Sequence, residues 1–255
     1  MLKAIRHWWN QRQQNEAEDL VIFSKLVPQL PLLYGFDDHQ QQRLFHRARE
    51  FLAAKTFEPA GGLTLEREQE MLVAIQAALP ILELGIRWYR GWYAVILYPA
   101  EFVAPHSFAD PSGVVHEGKR VLAGEAWDRG PMVLSWDDSA GGAYGEYRGN
   151  VVIHECAHKL DLLNGDPNGH PPLHPNMRLD DWSTAWNRAY ADHSSRVAAG
   201  IDTWLDPYGA ENAAEFFAVT SEAFFTEPRR LQGWYPRVYD QLKKFYRQDP
   251  LLRLG

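Results

Sequence analysis

Cysteine is almost absent from this chain of 255 residues, and the one present, Cys156, excludes an intrachain disulfide. That composition suits a reducing compartment. No run approaches the ~18 consecutive apolar residues of a membrane-spanning helix. The opening stretch MLKAIRHWWNQRQQNEAEDL has neither an apolar h-region nor a small-residue cleavage site, so no signal peptide is expected. Basic residues fall short of acidic ones, 26 against 33, for a formal net charge of -7. Such a surface repels phosphate backbones and argues against direct nucleic-acid binding. Internal repeats and low-complexity tracts are also missing. The expectation is a cytoplasmic protein with no membrane attachment.

What is present is material for a core. Hydrophobic residues make up 45% of the chain and aromatic residues 13%, enough for an extensive packed interior. The first 35 residues read as a partly flexible extension, in which Trp8 and Trp9 are suited to dock on the body. Residues 36–255 read as one domain with a helical N-terminal part. Phe36 to Lys55 has helical spacing of Leu44, Phe45, Ala48, Phe51 and Leu52, with Asp37 or Asp38 as cap. A second helix is expected from Thr64 to Leu79, ended or kinked by Pro80. The pattern then turns to strands: YAVILY at 93–98, a hairpin in GVVHEGKRVLAG with Glu117-Gly118 at its turn, and PMVLSW at 131–136. DDSAGGAYGEYRG reads as a loop. The fold class expected is α+β, with an N-terminal helical layer, a small sheet and helices that carry the site.

The chemistry is concentrated in GNVVIHECAHKLDLLNG, Gly149 to Gly165. Asn150 is a good N-cap and Asn164-Gly165 a good stop. On the helix between them, His154 and His158 project from one face, one turn apart, and can share a metal ion. Glu155 projects beside them, within reach of a water on that metal. This is the H-E-x-x-H arrangement of two zinc ligands and a general base. Zinc lowers the pKa of a bound water from about 15.7 to roughly 7, and Glu155 would accept its proton and hand it to the leaving amine. Cys156 points away from the histidines and reads as a small buried side chain. Asp161 is either an orienting partner for an imidazole or a solvated acid.

Three protein ligands are needed. In metzincins the third is a histidine six residues after the second, but here Asn164 stands at that position. His170 and His174 lie in a proline-rich stretch and read as exposed loop histidines. DPYGAENAAEFFAVTSEAFFTEP, 206–228, offers a better source. Phe216, Phe217, Thr220, Ala223 and Phe224 form an apolar stripe, and Glu211, Glu215 and Glu222 an acidic one. A helix this aromatic packs on several sides, so its acids need partners. Glu215, read as central in the helix, is the first choice as ligand. Glu211, nearer the start, is second, and Glu222 is an acid behind the ligands. Tyr208 is placed either to donate a hydrogen bond to an oxyanion or to pack at the helix entrance.

Taken together, IHECAHKLD followed by NGD, YGAENAAEFFAV and SEAFF resembles the Mlc titration factor A family of bacterial zinc peptidases. LPILELG near residue 80 and the tail FYRQDPLLRL share the resemblance, which runs over nearly the whole chain. The family's catalytic domain is similar to that of anthrax lethal factor, a gluzincin with a tyrosine and a glutamate seven apart, matched by Tyr208 and Glu215. The resemblance implies a zincin-like fold and a cytoplasmic zinc metallopeptidase with aminopeptidase activity on short peptides. It implies one zinc ion per chain, held by His154, His158 and Glu215, with Glu155 as base. It adds His116, in GVVH, as an extra metal contact in a resting state. It further implies binding to the glucose-responsive repressor Mlc, relieving repression of the glucose phosphotransferase system. The alternative is a protein that only sequesters the repressor, its zinc site idle or structural.

Overall fold

The computed structural model describes residues 15–109, 115–122, 124–126 and 130–254, with 102–109, 115–122 and 124–126 described as backbone. Trp8 and Trp9 lie outside the described residues. A first helix, α1 (15–26), leads through two short 3-10 turns to α2 (Asp38–Ala54). Phe23, Leu26, Leu30, Leu32 and Leu33 all precede the expected boundary at residue 35. They belong to the same apolar core as the rest of the chain. The far end of the chain closes over this segment, where the Arg253 guanidinium donates to the Leu32 carbonyl.

Asp37 caps α2 as expected. Its Oδ1 accepts from the Gln40 amide at 2.7 Å while Gln40 Oε1 accepts from the Asp37 amide at 3.0 Å, a reciprocal capping box. Leu44, Phe45, Ala48 and Phe51 are buried on its inner face. The partner helix α3 (Arg67–Ala78) begins three residues later than Thr64. Gln69 reaches back to the Glu66 amide at 2.9 Å, so Glu66 and not Thr64 marks its start.

A four-stranded sheet runs in the order β1 (Thr56–Pro59), β2 (Ala94–Tyr98), β6 (Met132–Ser135) and β5 (Gly124–Ala126). The first three are parallel, and α3 lies in the crossover between β1 and β2. The last strand is antiparallel to β6. A separate hairpin joins β3 (Phe102–Ala109) to β4 (Val115–Leu122). Glu117 and Gly118 are not its turn: they pair with Ser107 and His106 inside the ladder. A Glu-Gly pair fits a two-residue turn locally, but register belongs to the whole ladder, which here runs over eight residue pairs.

Trp136, expected to end a strand, and residues 137–144, expected as a loop, form helix α4 (Trp136–Tyr144). Ser135 caps it by accepting from the Asp138 amide at 3.3 Å, and two acids occupy the first turn. Its glycines serve close packing. A Cβ on Gly141 would fall 2.1 Å from the Tyr147 ring, and one on Gly142 would fall 3.2 Å from the Asn150 Cα. Helix propensity is sacrificed there, about 1 kcal/mol per glycine, so that α4 can lie against the entry to the next helix.

That helix, α5 (Val151–Asp161), is central. It rests on β5 and β6 and packs on α3, α4 and α7 (Ala213–Thr226). Val152, Ile153, Cys156, Ala157 and Leu160 are fully buried. Beyond it, α6 (Leu179–Ala198) lies over α7, and α8 (Pro228–Trp234), α9 (Pro236–Tyr246) and the short α10 (Leu251–Leu254) complete the C-terminal layer. Trp182 and Trp186 stack at 4.1 Å and meet Phe216, Phe217 and Phe245 edge-on or tilted. The outcome is a helix-rich α+β fold with a small, mostly parallel sheet. No helix among the described residues is long and apolar enough to cross a membrane.

Candidate metal centre

Asn150 starts α5 by accepting from the Ile153 amide at 2.9 Å, and its amide nitrogen donates to Gln76 Oε1 of α3 at 2.7 Å. This anchoring fixes the register of the face bearing His154 and His158. Asn212 does the same for α7, accepting from the Glu215 amide at 3.0 Å. Glu215 is therefore in the first turn of α7, not at its centre. Glu211 falls outside the helix, just after the 3-10 turn Pro207–Ala210. The asparagine cap resets the chain direction between Tyr208 and Glu215, which the run of helix-favouring residues concealed. At an N-terminal turn the helix dipole favours a carboxylate in its charged form.

Where α5 and α7 meet, three side chains converge. His154 Nε2 lies 3.1 Å from Glu215 Oε2, His158 Nε2 lies 3.2 Å from the same oxygen, and the two Nε2 atoms are 3.1 Å apart. The three donor atoms all lie within 4.8 Å of one another, and among the described residues no other trio of potential ligands does so. The side chains are only 12–14% exposed. Ligands about 2.0–2.1 Å from a tetrahedral zinc stand about 3.3 Å apart, so this triangle has the size of one face of such a site.

The surroundings support a cation. Glu222, two turns along α7 from Glu215, accepts from His154 Nδ1 at 2.7 Å, leaving Nε2 to face the centre. Its other oxygen accepts from the Asn150 amide. This contact needs Gly149, whose φ is 86° and whose Cβ, if present, would sit 2.5 Å from the Glu222 carboxylate. Burial alone would lower the His154 pKa, but hydrogen bonds to Glu215 and Glu222 outweigh it and hold the ring well above its ordinary value. Burial opposes charge on Glu215 too, yet hydrogen bonds from both histidines bring its pKa far below the usual carboxylate range. The cluster is thus arranged around positive charge.

Glu155 is 4% exposed, and its Oε2 has no hydrogen-bond partner among the described residues. Burial raises its pKa, with the two histidines acting in the opposite sense. An orphaned carboxylate oxygen beside a metal-sized triangle fits a base that works on a substrate water or proton. Tyr208, in the 3-10 turn, stacks on the His154 ring at 5.9 Å and 28°. His116 lies on β4 opposite Phe108, and its side chain lies outside what is described. Of the sequence candidates, the structure therefore brings together His154, His158, Glu215, Glu222, Glu155 and Tyr208.

The other candidates have structural work. Asp161 is neither solvated nor bonded to an imidazole: it is fully buried and accepts from the amides of Asn168, Gly169 and His170 at 2.7–2.8 Å, tying down the loop after α5. His174 is not an exposed loop residue. It is buried, hydrogen-bonded to the Phe245 carbonyl at 2.8 Å and packed on Trp88. Cys156 is buried as expected. Sequence reasoning missed Gly149 and Gln76 as supports of the centre. A glycine directly before the N-cap was the available signal for the first. Nothing marked the second.

A buried cluster with two imidazoles, one carboxylate and an adjacent glutamate whose Oε2 has no partner among the described residues is the donor set of a metal-dependent hydrolase. The comparisons with known proteins give it a family. The chain belongs to the glucose-regulated metallo-peptidase M90 family, whose model matches residues 5–247. It is similar to Mlc titration factor A of Yersinia pestis (strain Pestoides F), 38% identical over 251 residues, covering 97% of this chain and 92% of that protein. The Mlc titration factor A of Yersinia pseudotuberculosis serotype O:1b (strain IP 31758) matches to the same extent.

Proposed function

We propose that this protein is a zinc-dependent peptidase of the gluzincin type, acting as an aminopeptidase on short peptides. The observation that carries this reading is the triangle of His154, His158 and Glu215 beside the unpartnered, buried Oε2 of Glu155. Two imidazoles and one carboxylate in a small tetrahedral face favour zinc over the harder, oxygen-seeking cations. When bound, the metal supplies Lewis acidity, which acidifies a water and polarises a peptide carbonyl. In this reading Glu155 accepts a proton from the attacking water and delivers it to the departing amine. Tyr208, beside the His154 ring, donates a hydrogen bond to the developing oxyanion. Glu222 holds His154 in one tautomer and orientation. His116, on the hairpin β3–β4, is proposed as an additional ligand in a resting state.

The relatives' name, Mlc titration factor A, supports a second role, binding of Mlc; we further propose that the protein acts in the cytoplasm and through this binding modulates phosphotransferase-system genes. The two roles are compatible in one chain. A purely sequestering protein with an idle site would have no need of Glu155.

The test pairs metal content with turnover. Wild type is expected to hold one zinc per chain and to hydrolyse alanine-type chromogenic amides. Glu155→Gln should keep the zinc and lose activity by about 10²–10⁴-fold, because only the proton carrier is removed. Undiminished hydrolysis by that variant would sink the mechanism. A zinc-loaded wild type that cleaves nothing would leave repressor binding as the function.

A further inference from the structure

A depression of about 360 Å³ lies between α6 and the corner where α8 meets α9, and no residue of the metal centre lines it. Its shape follows from small residues on one helix. Ala185 and Ala189, one turn apart on α6, leave a trough that Tyr235 and Val238 close from the other side. All four are buried, so the floor is apolar and firmly held.

The rim is cationic. Arg188, Arg196 and Arg237 line the trough with a single acid, Asp192. Asp192 is already engaged: Arg196 Nε donates to it at 2.9 Å and the Tyr235 hydroxyl at 3.0 Å. Arg188 and Arg237 make no hydrogen bond or ion pair among the described residues. Two uncommitted guanidinium groups in one trough run against the balance of a chain carrying -7 overall. At the end of the trough Trp234 is 44% exposed, with the Arg196 guanidinium 5.2 Å above its ring and the Trp204 ring 6.5 Å away.

Solvated arginines on a helix face need no explanation. An apolar trough, two unpaired arginines and an exposed indole in one place are different. Tryptophan and arginine are the side chains that concentrate binding energy at protein interfaces. The planar guanidinium fork matches carboxylates in bidentate geometry. The chain's formal net charge of -7 disfavours a phosphate backbone as the occupant. We infer that the trough between α6 and the α8–α9 corner, rimmed by Arg188, Arg237 and Trp234, is a docking site for an acidic segment of a protein partner, bearing apolar side chains between its carboxylates. This site is separate from the peptidase centre and does not depend on that reading.

The experiment uses the full chain and a fluorescein-labelled peptide of alternating glutamate and leucine, followed by anisotropy. Wild type should bind it, with affinity falling as salt rises. The double reversal Arg188→Glu with Arg237→Glu should weaken binding at least about tenfold, and Trp234→Ala at least about threefold. A peptide with lysine for glutamate should not bind. Thermal unfolding and chromogenic amide hydrolysis should match wild type in the double variant, since both arginines are exposed and neither makes a hydrogen bond or ion pair among the described residues. If the reversal disturbs folding, Arg188→Gln with Arg237→Gln serves in its place, with a smaller loss expected. Equal binding by wild type and the charge-altered variants, or no binding by wild type, would overturn the inference. So would displacement of the peptide by a double-stranded oligonucleotide at equal charge concentration.

Discussion

Helix α5 contributes to two buried polar clusters, and they are satisfied in different ways. His154 and His158, with Glu155 beside them, form one. In the other, Lys159, one turn along from Glu155, donates to the carbonyls of Gly130 and Pro131, and Lys55 donates to those of Tyr89 and Trp92 at 2.6 Å each. Both ammonium groups also lie over the Trp92 ring, at 3.6 and 5.4 Å. The lysines are thus answered by fixed carbonyls and an aromatic face. The histidine side brings His154 Nε2, His158 Nε2 and Glu215 Oε2 within 3.1–3.2 Å of one another and leaves Glu155 Oε2 without a partner among the described residues. Burial of charge does not by itself mark function, since both clusters are buried. The distinguishing feature is whether the protein's own groups complete the cluster.

The sharpest way to break this contrast is to remove a donor from the incomplete side. Glu215→Ala takes away the oxygen shared by both histidines. It should abolish stoichiometric zinc after dialysis and lower amide hydrolysis to background. Retention of one zinc per chain by that variant would mean that the triangle is not the ligand set. The next effect is smaller. Glu222→Gln keeps the side chain's shape but weakens the hold on His154 Nδ1, and zinc affinity measured by chelator competition should fall about 10–100-fold. An unchanged affinity would show that the Asn150 cap and α5 packing orient His154 without help. If Glu222→Gln matched Glu215→Ala, Glu222 would have to be counted among the ligands.

These side chains also show what the sequence could and could not disclose. His154, Glu155 and His158 were legible because their geometry is local: five consecutive residues on one capped helix determine it. Glu215 could be chosen because an acid on a strongly aromatic helix needs a partner. Its position in the first turn could not, because the Asn212 cap competes with an otherwise continuous helical pattern. The helix at 136–144 was hidden by glycines whose purpose is visible only against Tyr147 and Asn150. Asp161 and His174 were misjudged for the same reason. Their partners are backbone groups seven to nine and 71 residues away, brought near only by the packed fold. The parallel pairing of β1 and β2 goes with the α3 crossover between them, whereas β6 comes beside β2 through a connection of strands and the β3–β4 register depends on pairing that a short turn motif does not settle.

The smallest expected effect sharpens the comparison from the satisfied side. Burial lowers the Lys55 pKa to about 8, against about 10.4 in an unfolded chain. Below about pH 8 the lysine is protonated in both states, and the cost of burying its charge is fully present. Between about pH 8 and 10.4 the unfolded chain binds more protons than the folded one, so this residue makes stability rise with pH. Lys55→Met has no such linkage. Urea unfolding of both metal-free proteins at about pH 7.5 and about pH 9.5 should show wild type gaining about 1–2 kcal/mol relative to the variant. A constant difference would mean that the Tyr89 and Trp92 carbonyls compensate the buried charge completely. The lysine side of α5 would then be even further from the incomplete histidine side than its geometry indicates.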